Sequence, residues 1–254
     1  PTTADRFGDG DGSCGDLISP QSDRTVYTLR VQTGCNQVCS YCIIPSTRGS
    51  GRSMSIDQVS QEVTRIALEG FKEASLTGVH IGSYGRDLIP RTSLLELLKR
   101  LDSHPSDVMF RISSLEPMDC NEAVIDLVAR SGRFAPHFHL PLQNASDQVL
   151  RAMRRPYSLD YYRRLVNMVR SRMPDAGIGS DLVVGFPGET FEDVEANLTY
   201  LPASPLTYLH VFPYSDRPGT EASGMAGKID KKDIRERART IRSIGRDLAA
   251  SFRL

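Results

Sequence analysis

From Thr25 onward the chain alternates, six times over, between a short β-branched or apolar run and a longer stretch with amphipathic helical spacing. That alternation is the pattern of βα units. Strands that follow one another through helical crossovers lie parallel, and right-handed crossovers curl such a sheet. Strands are predicted at residues 26–31, 74–77, 108–112, 137–140, 178–184 and 208–212. Helices are predicted at about 93–101, 121–129, 159–172 and 190–201. Another starts at Ser55, which with Gln58 reads as a capping box; Ile56, Val59, Val63 and Ile66 share a face, and Gly70 ends it. A last basic segment carries Ile234, Ala238, Ile241, Ile244 and Leu248 at helical spacing, a stripe expected to face the core with its Arg residues in solvent. Six units are fewer than the eight of a closed barrel. The expected fold class is therefore α/β, a partial (βα)6 TIM-like open barrel, with function at the C-terminal ends of the strands.

Directly after the first predicted strand stand Cys35, Cys39 and Cys42, spaced C-x3-C-x2-C. Iron–sulfur clusters are normally held by four thiolates, so a tight triplet with no local fourth Cys points to a cluster with one iron open to a ligand. Zinc fits less well, because no second C-x2-C and no H-x3-5-H follows; His137 and His139 are two apart. A disulfide framework is disfavoured by five cysteines, an odd number, in 254 residues without a secretory signal. Cys14 and Cys120 are isolated, and Cys120 reads as a small buried or loop residue.

Composition narrows the setting. Lys plus Arg and Asp plus Glu both total 31, so no net field draws nucleic acid, and an RNA partner would need help from elsewhere. No run is long and apolar enough to span a bilayer, and the chain reads as cytoplasmic. Residues 1–24, rich in Gly, Asp and Ser, are expected to form a disordered linker or arm before a single domain over 25–254. Asp9, Asp11 and Ser13 imitate the start of a calcium loop, but Cys14 stands where glycine is required and Pro20 where the bidentate Glu belongs.

The segment Val31-Gln-Thr-Gly-Cys-Asn-Gln-Val-Cys-Ser-Tyr-Cys-Ile-Ile-Pro-Ser-Thr-Arg-Gly resembles the cluster loop of radical S-adenosylmethionine methylthiotransferases. Further blocks agree in order: Leu76-Thr-Gly-Val-His-Ile-Gly-Ser-Tyr-Gly, Arg111-Ile-Ser-Ser-Leu-Glu-Pro, His139-Leu-Pro-Leu-Gln-Asn, Met153-Arg-Arg-Pro-Tyr, Ser180-Asp-Leu-Val-Val-Gly-Phe-Pro-Gly-Glu-Thr and Val211-Phe-Pro-Tyr-Ser-Asp-Arg-Pro-Gly-Thr. The second and third blocks are most similar to the branch that methylthiolates N6-threonylcarbamoyladenosine beside the tRNA anticodon. Relatives acting on isopentenyladenosine or on a ribosomal-protein aspartate stay open, as do another radical enzyme on this core and a non-catalytic metal-binding scaffold.

The resemblance implies a [4Fe-4S] cluster on Cys35, Cys39 and Cys42, with S-adenosyl-L-methionine chelating the fourth iron. It implies a second S-adenosyl-L-methionine as methyl donor, tRNA as substrate, and an electron donor such as flavodoxin or ferredoxin. Candidate contacts to the cofactor are Thr77 and Gly78 after the second strand, Ser113, Ser114 and Glu116 after the third, Gln143 after the fourth and Asp181 within the fifth. Gln143, Asn144 and Asp181 are polar groups in apolar surroundings that need hydrogen-bond partners, whether ligand or protein. Arg48, Arg52, Arg154 and Arg155 are candidates for phosphate or carboxylate, or exposed cations. His80, His137, His139 and His210 read as satisfied strand-end residues. Gly185-Phe-Pro-Gly-Glu-Thr is a strand-to-helix turn, with Thr190 as cap, and not a phosphate loop. Members of this family carry an N-terminal domain with three further cysteines and a C-terminal β-barrel that grips RNA. The chain is accordingly expected to be a radical core that lacks full activity alone and meets tRNA through domains outside it.

Overall fold

The computed structural model describes residues 25–254, so the expected arm over 1–24, with Cys14 and the calcium-like run, lies outside the described residues. The described residues gather into two compact units. One takes the chain up to Asn36 and Arg48–Pro136; the other takes Gln37–Thr47 and His137–Leu254.

In the first unit, β1 (Val26–Thr33) pairs in parallel with β3 (Glu73–Gly78), which pairs in parallel with β4 (Met109–Ile112). The two-residue β2 (Arg52–Ser53) closes the outer edge of β1 antiparallel, giving the order β2-β1-β3-β4. Three helices serve this sheet: α2 (Ile56–Leu68), α3 (Leu94–Asp102) and α4 (Glu122–Arg130). The predicted capping box is present, with Ser55 accepting from the Gln58 amide and the Gln58 side chain from Ser55. Gly70, at φ 91°, ends α2: its amide bonds to Ala67 O at 3.0 Å and that of Phe71 to Ile66 O at 3.1 Å, a Schellman pair. Val59, Val63 and Ile66 of this helix are fully buried, as are Leu76, Phe110, Leu97 and Leu101. Each such side chain contributes about 1.5–3 kcal/mol over exposure.

In the second unit, β5 (His137–His139), β6 (Gly177–Val184) and β7 (Tyr208–Pro213) form a parallel sheet in chain order. Its helices are α5 (Asp147–Ala152), α6 (Leu159–Arg172), α7 (Phe191–Tyr200) and α8 (Lys231–Phe252), with a short α1 (Ile44–Arg48) after the cysteines. Six predicted strands and six predicted helices are therefore found, the three predicted strands of each unit pairing in parallel within their own sheet.

The differences have physical causes. Helix α5 and strand β2 are too short to show a period, and α5 is announced only by its cap, Ser146. Strand β1 runs on to Thr33 across an irregularity between Arg30 and Gln32, because buried Gln32 is tied down by its side chain. On α8 the stripe turns: Ile234, Ala238 and Ile241 are buried, but the next buried position is Gly245, close to Leu209, while Ile244 and Leu248 are only half-buried. Among the described residues no helix is long and apolar enough to cross a membrane.

Candidate functional site

In the first unit the chain turns out of β1 through Gly34, at φ 70°, where an added Cβ would lie 2.1 Å from Ser50 O. Only glycine fits there. The Cys35 amide donates to Gly49 O at 3.0 Å, closing the turn. Gln32 clamps it from within: Nε2 donates to Thr33 O and Gly34 O at 2.9 and 2.8 Å, and Oε1 accepts from the His80 amide at 2.8 Å. Gly78 completes the arrangement, since a Cβ there would sit 2.9 Å from Gln32 Oε1. Gln32 went unnoticed in the sequence reading; its neighbour Cys35 and a polar side chain at the end of an apolar run were the available signals.

His80 faces the first cysteine. Its Nδ1 lies 3.8 Å from Cys35 Sγ and its Nε2 2.6 Å from Asp119 Oδ2, while Arg86 donates to Asp119 Oδ1 at 2.5 Å. Burial opposes a charge on His80, but the hydrogen bonds to Asp119 and Cys35 outweigh it and raise its pKa to about 9. Below that value both ring nitrogens donate, one to carboxylate and one to sulfur. Burial pushes Asp119 up, yet His80 and Arg86 hold it below the usual carboxylate range. Neither Asp119 nor Arg86 was singled out from the sequence, because nothing local pairs residues this far apart.

Of the other predicted residues in this unit, Thr77 and Gly78 end β3, and Ser113 follows β4. The Ser113 amide bonds to Leu76 O at 3.0 Å, while its Oγ is buried with no hydrogen-bond partner among the described residues. Ser114 is exposed. Glu116 begins a short turn and accepts through its carbonyl from the amides of Asp119 and Cys120. Cys120 is buried, as expected, and burial raises its thiol pKa.

In the second unit Ser40 pins the cysteine loop: its hydroxyl donates to Ala152 O at 2.7 Å, its amide to Met153 O, and its carbonyl accepts from Ala222 N. Tyr41 packs edge-on against Phe186. The Cys42 amide turns back to Cys39 O at 3.2 Å. Arg155, buried, donates from Nη1 to Cys39 Sγ at 3.2 Å, from Nε to Tyr157 OH at 3.0 Å, and its guanidinium lies over the Tyr157 ring. Tyr157 in turn donates to Pro141 O. Arg154 takes the left-handed region at φ 57° and pairs with Glu221 instead.

Gln143 is strained at φ 71° and is held by two backbone bonds, from its amide to Asp181 O and from Val183 N to its carbonyl, both 2.8 Å. Asn144 is satisfied within the protein, by Glu189, Ser146 and Asn197. The Gly185–Thr190 turn is a structural hub: buried Glu189 accepts from Gly185 N, Asn144 and Arg237, and burial raises its pKa against those partners. Asp181 meets two imidazoles, His139 Nε2 at 2.8 Å and His210 Nδ1 at 3.2 Å, both at Oδ1.

Three thiols on eight consecutive residues are a soft donor set suited to iron–sulfur or zinc, and two of them carry an N–H donor from their own unit. Hydrogen bonds to sulfur of this kind accompany cluster ligation.

Comparison with known proteins places the chain in a family. The family model described as the radical SAM superfamily matches residues 29–201. The threonylcarbamoyladenosine tRNA methylthiotransferase MtaB of Bacillus subtilis is 36% identical over 232 residues, 91% of this chain and 51% of that protein. A tRNA-2-methylthio-N(6)-dimethylallyladenosine synthase of Alkaliphilus oremlandii is 37% identical over 209 residues, 82% of this chain and 44% of that one. The chain thus spans about half the length of the curated relatives it matches. Among solved structures, the radical S-adenosylmethionine methyltransferase TsrM of Kitasatospora setae, with cobalamin and a [4Fe-4S] cluster bound, aligns at TM-score 0.65 and 18% identity over 77% of this chain and 35% of its own. The Escherichia coli radical SAM enzyme coproporphyrinogen III oxidase aligns at 0.63 and 16% over 88% and 52%. The α/β fold is that of radical SAM enzymes, and the chain belongs to the radical SAM superfamily.

Proposed function

We propose that this chain is the catalytic core of a radical SAM methylthiotransferase that adds a methylthio group to C2 of N6-threonylcarbamoyladenosine in tRNA. The observation that carries the reading is the Cys35, Cys39 and Cys42 triplet, two of whose sulfurs already face hydrogen-bond donors, in a chain 36% identical to a curated enzyme of that name. In this reading the three cysteines hold a [4Fe-4S] cluster. When bound, the cluster and S-adenosyl-L-methionine supply reductive cleavage of a carbon–sulfur bond and so the radical that opens an unreactive C–H position.

The protein's own residues position and tune. Gly34 and Gln32 fix the entry of the cysteine loop, and Ser40 fixes its middle. His80 and Arg155 direct N–H groups at Cys35 and Cys39, which stabilises added negative charge on the sulfurs. Thr77, Gly78, Ser113 and Glu116 are assigned to S-adenosyl-L-methionine, with the Ser113 hydroxyl the best placed because it lacks a protein partner among the described residues. Asp181 is taken in its other reading, a polar group with protein partners, because its Oδ1 faces His139 Nε2 and His210 Nδ1. A tRNA substrate sets the reaction in the cytoplasm, with a flavodoxin- or ferredoxin-like donor supplying the electron, and RNA gripped through parts of a longer protein.

Cys39→Ala is expected to reduce iron uptake on anaerobic reconstitution to background and to abolish deoxyadenosine formation; retention of both refutes the cluster assignment. Mass spectrometry of tRNA nucleosides from cells lacking the intact gene identifies the substrate. Loss of the methylthio form of threonylcarbamoyladenosine supports the reading. Loss of the isopentenyladenosine form instead favours the second reading, which the 37% identity to a dimethylallyladenosine enzyme keeps in play.

A further inference from the structure

We propose that His139, Asp181 and His210, on three neighbouring strands of the second sheet, form a binding site for a single divalent transition-metal ion, separate from the cysteine triplet. Nothing in the proposed methylthio transfer uses these residues.

The site is built by register. His139 pairs with Gly179 in the sheet, Gly179 pairs with Tyr208, and Asp181 pairs with His210 two residues further on. Gly179 is essential to this row. A Cβ there would fall 1.9 Å from the Tyr208 ring, so only glycine lets that ring lie across the middle strand. Tyr208 OH then reaches His139 Nδ1 at 3.0 Å and His137 Nε2 at 2.8 Å. That leaves His139 Nε2 facing Asp181 Oδ1 at 2.8 Å, with His210 Nδ1 at 3.2 Å from the same oxygen. The imidazoles of His139 and His210 stack at 5.1 Å, which fixes both planes.

Two nitrogens and one carboxylate oxygen lie within 4.8 Å of one another. Ligands about 2.0–2.2 Å from a common ion, at angles between octahedral and tetrahedral, are separated by about 3 Å. The observed separations of 2.8 and 3.2 Å match without backbone movement. Two imidazoles and one carboxylate are the donor set that suits zinc, cobalt or ferrous iron and leaves positions open for another ligand. The protons also balance. For Nε2 of His139 to ligate, its Nδ1–H donates to the Tyr208 oxygen, and the Tyr208 O–H then donates to His137 Nε2, so Tyr208 is the outer partner that a metal-bound imidazole requires. Exposure grades across the trio, with side chains 9% exposed at His139, 22% at Asp181 and 56% at His210, giving an ion an entry path and a solvent-facing side. A purely structural network would gain little from the half-exposed third member, because exposed pairs contribute little.

The test uses the full chain with its thiols alkylated by iodoacetamide and Co²⁺ as probe. The expected result is uptake of one Co²⁺ per chain, with visible d–d bands and no near-ultraviolet sulfur-to-cobalt charge transfer. His210→Ala, at a half-exposed position, should keep the native circular dichroism and weaken binding at least tenfold, and Tyr208→Phe should weaken it about tenfold. Cobalt uptake that is absent, or that is unchanged in both His210→Ala and His139→Ala, overturns the site. Neither result bears on the cluster reading, which is decided by iron and deoxyadenosine.

Discussion

Asp119 and Asp181 are both carboxylates held by histidine, yet they do opposite things. Asp119 is nearly buried and uses both oxygens, Oδ2 for His80 and Oδ1 for Arg86, so it is saturated and its effect passes through His80 to the sulfur of Cys35. Asp181 sits in a more open place and receives two imidazoles on one oxygen, with the second imidazole half in solvent. A saturated, buried carboxylate supports another group; an open one with converging nitrogens is itself a site. Burial and the count of used lone pairs, rather than the residue types, make the distinction.

The sharpest way to break this contrast is to remove each carboxylate. Asp119→Ala leaves a buried imidazolium without its counter-ion and is expected to lower stability by about 3 kcal/mol in urea unfolding, whereas Asp181→Ala should cost no more than about 1 kcal/mol. Equal losses would erase the difference. Gly179→Ala attacks the second arrangement through packing: the new methyl must displace the Tyr208 ring, costing about 1–3 kcal/mol, and the interaction of His139 with Tyr208 should be lost from the imidazole NMR signals.

Acid unfolding sharpens the comparison further. Asp119 has a lowered folded pKa, so its contribution is present above the unfolded value near 3.9 and is lost as pH falls through the folded one. Between about pH 5 and 2 the native chain should therefore lose stability more steeply than Asp119→Asn; parallel curves would show that the carboxylate is unpaired in solution. The smallest effect concerns tuning. His80→Gln removes the charged donor to Cys35 and, for the proposed cluster, is expected to lower the reduction potential on the order of 50 mV with the fold intact, read by a redox titration followed by electron paramagnetic resonance. An unchanged potential would leave His80 a purely structural residue.

What was legible in the chain was whatever is encoded locally. The six strands follow from short β-branched or apolar runs and their helices from a period of 3.6, Ser55 and Gln58 from one turn of helix, and the cysteine loop from three residues in one short segment. Helix α5 and strand β2 escaped because elements of six and two residues carry no period. Gln32 was readable only as a polar residue in a strand, and the three strand histidines 137, 139 and 210 only as satisfied polar groups. Which of these groups meet was invisible.

The sequence by itself determined the βα order, the helix-ending glycine at 70 and the presence of three thiols together, because each depends on neighbours within a few bonds or one helical turn. Only the tertiary structure decided that His80 points at Cys35 with Asp119 behind it, 39 residues away in the chain, and that His139, Asp181 and His210 converge. Parallel strands are joined through helices, so side chains that touch across a sheet are separated by a whole crossover, and their meeting is set by strand register and the room that Gly179 leaves, neither of which any local pattern records.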